Sequence, residues 1–255
     1  MQLTPLPALS DNYIWALADD DGARALFVDP SEAAPVFAAA DAGLEPAGVL
    51  LTHHHGDHIG GVPPLLERWP GLPVFGPDDD RVPAAYRRVT DGQTVDVAGW
   101  RFEVMGVPGH TRSHVAYFGH GLLFCGDTLF SLGCGRMFEG TAEQMYASLS
   151  RLAALPPETR VCCGHEYTLA NAAFARVVEP GNPALRRRLE EATAMRANGR
   201  PTLPSTLADE RAANPFLRVG SPEIRTSLTQ QFGHAPASDV DAFAALRRWK
   251  DGFTA

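Results

Sequence analysis

The chain has 255 residues, 45% apolar and 20% charged, the composition of an ordinary globular protein long enough to bury a sizeable core. Its 22 Lys and Arg against 30 Asp and Glu leave a net charge of −8, which argues against nucleic acid or an anionic membrane as the main partner. No apolar run approaches the roughly 20 residues of a membrane span, and the opening MQLTPLPALSDNY lacks the basic and apolar regions of a secretory signal. Cys125, Cys134, Cys162 and Cys163 form no CxxC, and the adjacent pair cannot readily bridge. Reduced thiols and a cytoplasmic protein are therefore expected.

Taken in order, the first part of the chain alternates strands with turns and helices. Tyr13–Ala18 and Ala25–Asp29 read as strands joined by a turn through Asp19–Gly22. Ser31 is a candidate cap for a helix over residues 32–42, ended by Gly43. The apolar run Val49–Thr52 is a buried strand, and a helix over residues 62–69 follows it, with Pro63 and Pro64 tolerated in its first turn. Further strands are expected at residues 73–75, 94–97, 100–107, 115–118 and 121–125. A helix over 141–155 opens on a Thr141/Gln144 capping box, and residues 160–163 form a last strand. From Tyr167 the character changes to helices at 171–179, 183–198 and 240–250, and a helix then a loop over 222–238. The domains predicted are 1–169 and a mainly helical 170–255.

The stretch LLTHHHGDHIGG, residues 50–61, carries His53, His54, His55, Asp57 and His58 where the strand gives way to glycines. Alternation puts His53 and His55 on one side and His54 on the other. Gly56 permits a sharp turn that returns Asp57 and His58 to the same pocket. Imidazoles with a carboxylate are the donors that borderline divalent metals prefer, and packing alone would not crowd so many chargeable groups together. Three more strands end in a glycine and then a ligand-type residue. His110 follows residues 101–107, Asp127 follows 122–125 and His165 follows 161–163. Together they favour one shared site at a sheet edge. His114 suits a supporting role. His120 and His234 read as solvated, and Asp11, Asp29 and Asp78–Asp80 as turn or surface carboxylates, although Asp29 ends a strand near the same edge.

The order His53-x-His55-x-Asp57-His58, His110, Asp127, His165 resembles the metallo-β-lactamase superfamily. Within it, THHHGDHIGG, PGHTRSH, FCGDTLFSLGCGRMFEGT, CGHEYTLANAAFA, EPGN, NPFLR and RRWKD look like the glyoxalase II (hydroxyacylglutathione hydrolase) family over nearly the whole chain. The resemblance implies an α/β (α+β) fold, a four-layer αββα sandwich with a C-terminal helical, glutathione-binding domain. It implies two divalent ions, zinc first with iron or manganese also suited, one held by His53, His55 and His110, the other by Asp57, His58 and His165, with Asp127 bridging. It implies glutathione contacts from Arg136, Phe138, Tyr167, Arg247 and Lys250. Arg136 stands where the family commonly has lysine and Phe138 where it has tyrosine, so one hydroxyl contact to glutathione is lost. Arg247 and Lys250, three apart on a helix, also share a face by spacing alone.

Two such ions can share one water and lower its pKa, making the bridging hydroxide the nucleophile on a thioester such as S-D-lactoylglutathione. The thiolate leaves readily, so no strong general acid is demanded, and Asp57 could orient the nucleophile besides ligating. This is the second step of methylglyoxal detoxification. A small-molecule thioester is thus the expected partner, with no nucleic acid or membrane, and the protein is expected to be a monomer. Other readings of the same string are a mononuclear-iron persulfide dioxygenase, a β-lactam hydrolase, an RNA-processing nuclease and a non-catalytic binding module. The helical tail, the Asp57–His58 pair, the absence of a signal and the charge favour the thioester hydrolase.

Overall fold

The structure, a computed structural model, describes residues 1–83 and 86–254. The strands are β1 Gln2–Ala8, β2 Asn12–Ala18, β3 Arg24–Val28, β4 Glu45–Leu50, β5 Val74–Pro77, β6 Arg87–Val89, β7 Thr94–Val97, β8 Trp100–Gly106, β9 Val115–Gly119, β10 Leu122–Gly126, β11 Leu129–Phe130, β12 Gly133–Cys134, β13 Arg160–Cys163 and β14 Ser205–Thr206. The helices are α1 Ala34–Asp41, α2 Gly56–Ile59, α3 Val62–Arg68, α4 Ala142–Ala153, α5 Thr168–Val178, α6 Pro183–Ala197, α7 Leu207–Ala213, α8 Pro222–Phe232 and α9 Asp239–Asp251.

Two six-stranded sheets carry the fold, in the orders β1-β2-β3-β4-β5-β6 and β14-β13-β10-β9-β8-β7. In the first, β1–β3 are antiparallel neighbours, while β3, β4, β5 and β6 run parallel. Every residue of β2 is buried, and the two faces of the sheet go to different partners. Ile14, Ala16, Ala18, Phe27 and Val49 pack with Val36 of α1 and with Val62 and Leu65 of α3. Trp15, on the other face, donates its Nε1 to the Cys163 carbonyl at 2.9 Å. A strand buried on both faces reads as a continuous apolar run, which is why β2 and β4 are legible.

The chain divides into two compact units. One comprises residues 1–106, 113–126 and 162–166, and the other 107–112, 127–161 and 167–255. The second unit holds the helical tail. Glu179 and Asn182 of EPGN and Arg218 of NPFLR interlock there. The Glu179 carboxylate accepts from Arg218 at 2.8 and 2.9 Å and from Asn182 and Ser221 at 2.8 Å. Asn214 donates to the carbonyls of Phe130 and Gly133 at 3.0 and 2.9 Å, tying the tail to the β11–β12 hairpin.

Several local expectations are corrected. Strand β1 was not expected from QLTPLPA; it tolerates Pro5 and Pro7 because it lies at the sheet edge. Ser31 does not cap α1, whose N-cap is Ala33 with no side-chain bond. The tail contains α7, a 3₁₀ turn Pro215–Leu217 and the short β14, all too brief to show a period. The Thr141 capping box is present, with both reciprocal bonds.

Candidate metal centre

The parallel strands of the first sheet deliver the centre of the first unit. Val28 of β3 pairs with Leu50 of β4, so the two carboxyl ends lie level and the segments leaving them meet. Open parallel sheets bind ligands at that edge. Asp29 turns there with a φ of 51°, a conformation Asp tolerates better than most residues. Its Oδ1 accepts the Thr52 amide at 2.8 Å, and its Oδ2 accepts the Thr52 hydroxyl at 2.7 Å and His58 Nδ1 at 3.0 Å. Beyond β4 the chain is a loop through His55, not a continued strand, and α2 then carries Asp57 and His58. His53 and His55 still lie together, Nε2 to Nδ1 at 3.1 Å. His54 departs from them, with its Nδ1 3.8 Å from Asp79 Oδ2.

His165 follows β13 and reaches the same place. Its Nδ1 is 2.8 Å from Asp11 Oδ1. Ionised carboxylates only accept, so the Nδ1 atoms of His58 and His165 carry the protons and each Nε2 presents its lone pair. Both Nε2 atoms face Asp57 Oδ2, at 3.7 and 3.5 Å. Asn12 Nδ2 holds the Asp57 carbonyl at 3.0 Å. His114 stacks on His53 with ring centroids 4.6 Å apart.

In the second unit His110 and Asp127 form a pair, Nε2 to Oδ2 at 3.5 Å. His110 Nδ1 donates to the Arg136 carbonyl at 2.8 Å, which again leaves the Nε2 lone pair to the site. Gly109, at φ 156°, passes so close to α4 that a Cβ would lie 2.7 Å from Met145 Sδ. The Phe138 ring lies 5.2 Å from that of His110 and is 64% exposed.

The expected substrate residues lie in this unit too. Arg136 is exposed and 3.7 Å from Asp251. Lys250 is half-buried, its Nζ 3.2 Å from the Ala170 carbonyl, and its pKa is lowered by burial and then by Arg247 and Arg136. Burial is the main cause of that depression, and the two guanidiniums add to it. Arg247 is buried, and Tyr167, at the start of α5, sets its ring 5.2 Å from that of Phe130.

Two readings of carboxylates are corrected. Asp29 is not a turn or surface group but is buried against His58, whereas Asp11 lies in the turn between β1 and β2, as expected, and holds the imidazole of His165 from there. Asp79 likewise accepts from Ser113 at 2.5 Å and from Arg81 at 2.8 Å, and the Arg81 hydrogen bond holds its pKa far below the usual range. A carboxylate just past a parallel strand, as Asp29 is past β3, was the signal available. Asp11 and Asn12 carried none, because a turn between antiparallel strands looks the same whatever lies opposite.

In the first unit the imidazoles of His58 and His165, each oriented by a carboxylate, meet Asp57 in a group that fits a divalent metal, and the superfamily match supports metal binding. Residues 20–165 match the metallo-beta-lactamase superfamily, and residues 166–253 match the hydroxyacylglutathione hydrolase C-terminus. A hydroxyacylglutathione hydrolase of Xanthomonas campestris pv. campestris (strain B100) is 61% identical over 256 residues, 100% of both chains. Among solved structures, ETHE1 from Myxococcus xanthus has a TM-score of 0.66 at 27% identity over 97% of this chain and 98% of that one. TTHA1623 in a di-iron-bound form has a TM-score of 0.54 at 30% identity over 65% of this chain and 92% of that one.

Proposed function

We propose that this chain, which belongs to the hydroxyacylglutathione hydrolases of the metallo-beta-lactamase superfamily, hydrolyses S-(2-hydroxyacyl)glutathione thioesters, S-D-lactoylglutathione among them. The observation that carries the reading is the meeting of Asp57, His58 and His165, with both imidazoles oriented by carboxylates. In this reading His53, His55 and His110 would hold one ion and Asp57, His58 and His165 a second, with Asp127 available to both. Two zinc ions per chain are the first choice, and the same nitrogen and oxygen donors suit iron or manganese. Bound divalent ions would supply an acidified water and an electrophile for the acyl carbonyl.

The chain's own residues do the rest. Asp57, held at its carbonyl by Asn12, accepts a hydrogen bond from the attacking water and aims it at the acyl carbon. The water oxygen bonds to the acyl carbon and gives up its proton to solvent, the C–S bond breaks, and glutathione leaves as a thiolate without needing a proton from the protein. Arg136, Arg247 and Lys250 supply positive charge for the two glutathione carboxylates. Tyr167 offers a hydroxyl, and Phe138 offers a ring without one. Residues 1–169 thus supply the metal side and 170–255 the tail that takes glutathione. The working form is a cytoplasmic monomer. The tail match over residues 166–253 favours this reading over an oxygen-dependent relative of the same superfamily.

The test is turnover of S-D-lactoylglutathione by purified protein, with metal content measured on the same sample. Turnover with about two metals per chain is expected. Loaded protein that leaves this thioester intact would sink the proposal.

A further inference from the structure

Arg247 is surrounded differently from Arg136 and Lys250. It is 3% exposed, and its guanidinium lies 5.2 Å over the Phe216 ring. Nε and Nη2 hold Asp251 Oδ1 at 3.1 and 2.9 Å. Nη1 donates to the Cys134 carbonyl at 2.8 Å. The same nitrogen is 3.7 Å from Cys134 Sγ, a weaker contact to a thiol that burial pushes up to about 11 and keeps neutral. What Arg247 grips is the backbone of β12.

The two residues after Cys134 lead directly to the two ligand-type side chains of this unit. Gly135 lies so close beneath Asp127 that a Cβ there would sit 1.9 Å from the Asp127 carbonyl oxygen and 3.3 Å from His110 Nδ1. Its amide donates to the Thr128 carbonyl at 3.2 Å. Arg136 then offers the carbonyl that His110 Nδ1 holds at 2.8 Å. A shift of the Cys134 carbonyl therefore moves both the seat of Asp127 and the acceptor that fixes the His110 tautomer.

We propose that Arg247 is a positioning residue for His110 and Asp127, its hydrogen bond to the Cys134 carbonyl fixing the 133–136 turn that orients both. The inference rests on the reading of His110 and Asp127 as metal ligands. It gives the tail helix α9 a part in metal binding, beyond its charge toward substrate.

The experiment is titration of the metal-free protein with Zn²⁺ against a chromophoric chelator, for wild type, Arg247→Met, Asp251→Asn and Lys250→Ala. Methionine keeps an apolar stem over Phe216 and removes the fork. The step of the ion that His110 would hold is expected to weaken about tenfold in Arg247→Met, the low end of what losing a histidine-orienting partner costs, while the other, which shares Asp127 but not His110, weakens by less. Asp251→Asn, which frees the guanidinium without touching the buried stem, should weaken the same step by less, and it carries the test if Arg247→Met does not fold. Lys250→Ala, which removes a neighbouring charge but not the Cys134 bond, should leave both steps where they are. Unchanged zinc binding in Arg247→Met or Asp251→Asn overturns the proposal and assigns Arg247 to substrate alone. Equal weakening of both steps overturns it too, since that reports a loosened fold. The titration needs no turnover, so failure of the thioester assay would sink the functional reading and be told apart from failure here.

Discussion

Asp29 shows how much one side chain decides at this site. It accepts three hydrogen bonds from Thr52 and His58, on a backbone with φ 51° that an alanine would adopt only under strain. Asp29→Asn keeps the shape and the backbone preference but turns one acceptor into a donor facing donors. Metal affinity is expected to fall about 10- to 100-fold, read by chelator competition, with the folded state retained. Asp57 is the residue assigned to orient the water. Asp57→Asn should lower kcat by about a hundredfold or more, and normal turnover at normal metal content would remove Asp57 from that role.

At the scale of elements, caps and tethers matter more than propensity. Helix α4 begins on a complete capping box, Gln144 N to Thr141 Oγ1 at 3.3 Å and Thr141 N to Gln144 Oε1 at 3.0 Å. Thr141→Ala should cost about 1 kcal/mol in denaturant unfolding. Glu179 binds the end of α5 to the segment before α8. Burial would raise its pKa, but the bonds from Arg218, Asn182 and Ser221 outweigh it and hold the carboxyl below its ordinary 4.5. A carboxylate depressed in the folded state stabilises above its unfolded value, and that stabilisation disappears as pH falls through the folded one. Glu179→Gln should therefore lose stability at neutral pH, by about 3 kcal/mol. It should also show a shallower loss than wild type below pH 4.5, measured as Tm against pH.

The whole molecule carries −8, yet Arg136, Arg247 and Lys250 gather in one unit around Asp251. On the proposed reading, Arg136 and Lys250 would steer an anionic thioester toward an otherwise acidic protein. Raising salt from about 0.05 to 0.5 M should raise KM while leaving kcat nearly unchanged, because screening acts on the approach of substrate and not on chemistry in the buried centre. A KM indifferent to salt would remove these cations from the recognition of substrate.

The sequence by itself determined the strands that end in ligand-type residues, the helical tail and a set of candidate donors. Apolar runs closed by Gly and followed by His or Asp are local patterns, written by burial on both faces of a sheet. His53, His55, Asp57, His58, His110, Asp127 and His165 could be named from it because a metal selects side-chain types as well as positions. Only the tertiary structure decided what holds those donors. Asp11 and Asp29 come from a turn and a strand end far away in sequence, and a carboxylate there looks like any surface acid until the level ends of β3 and β4 bring it against an imidazole. Arg247 on α9 and the Cys134 carbonyl are 113 residues apart, and nothing periodic links them. Their bond exists because a buried guanidinium must find acceptors, and the packed chain alone determines which are within reach.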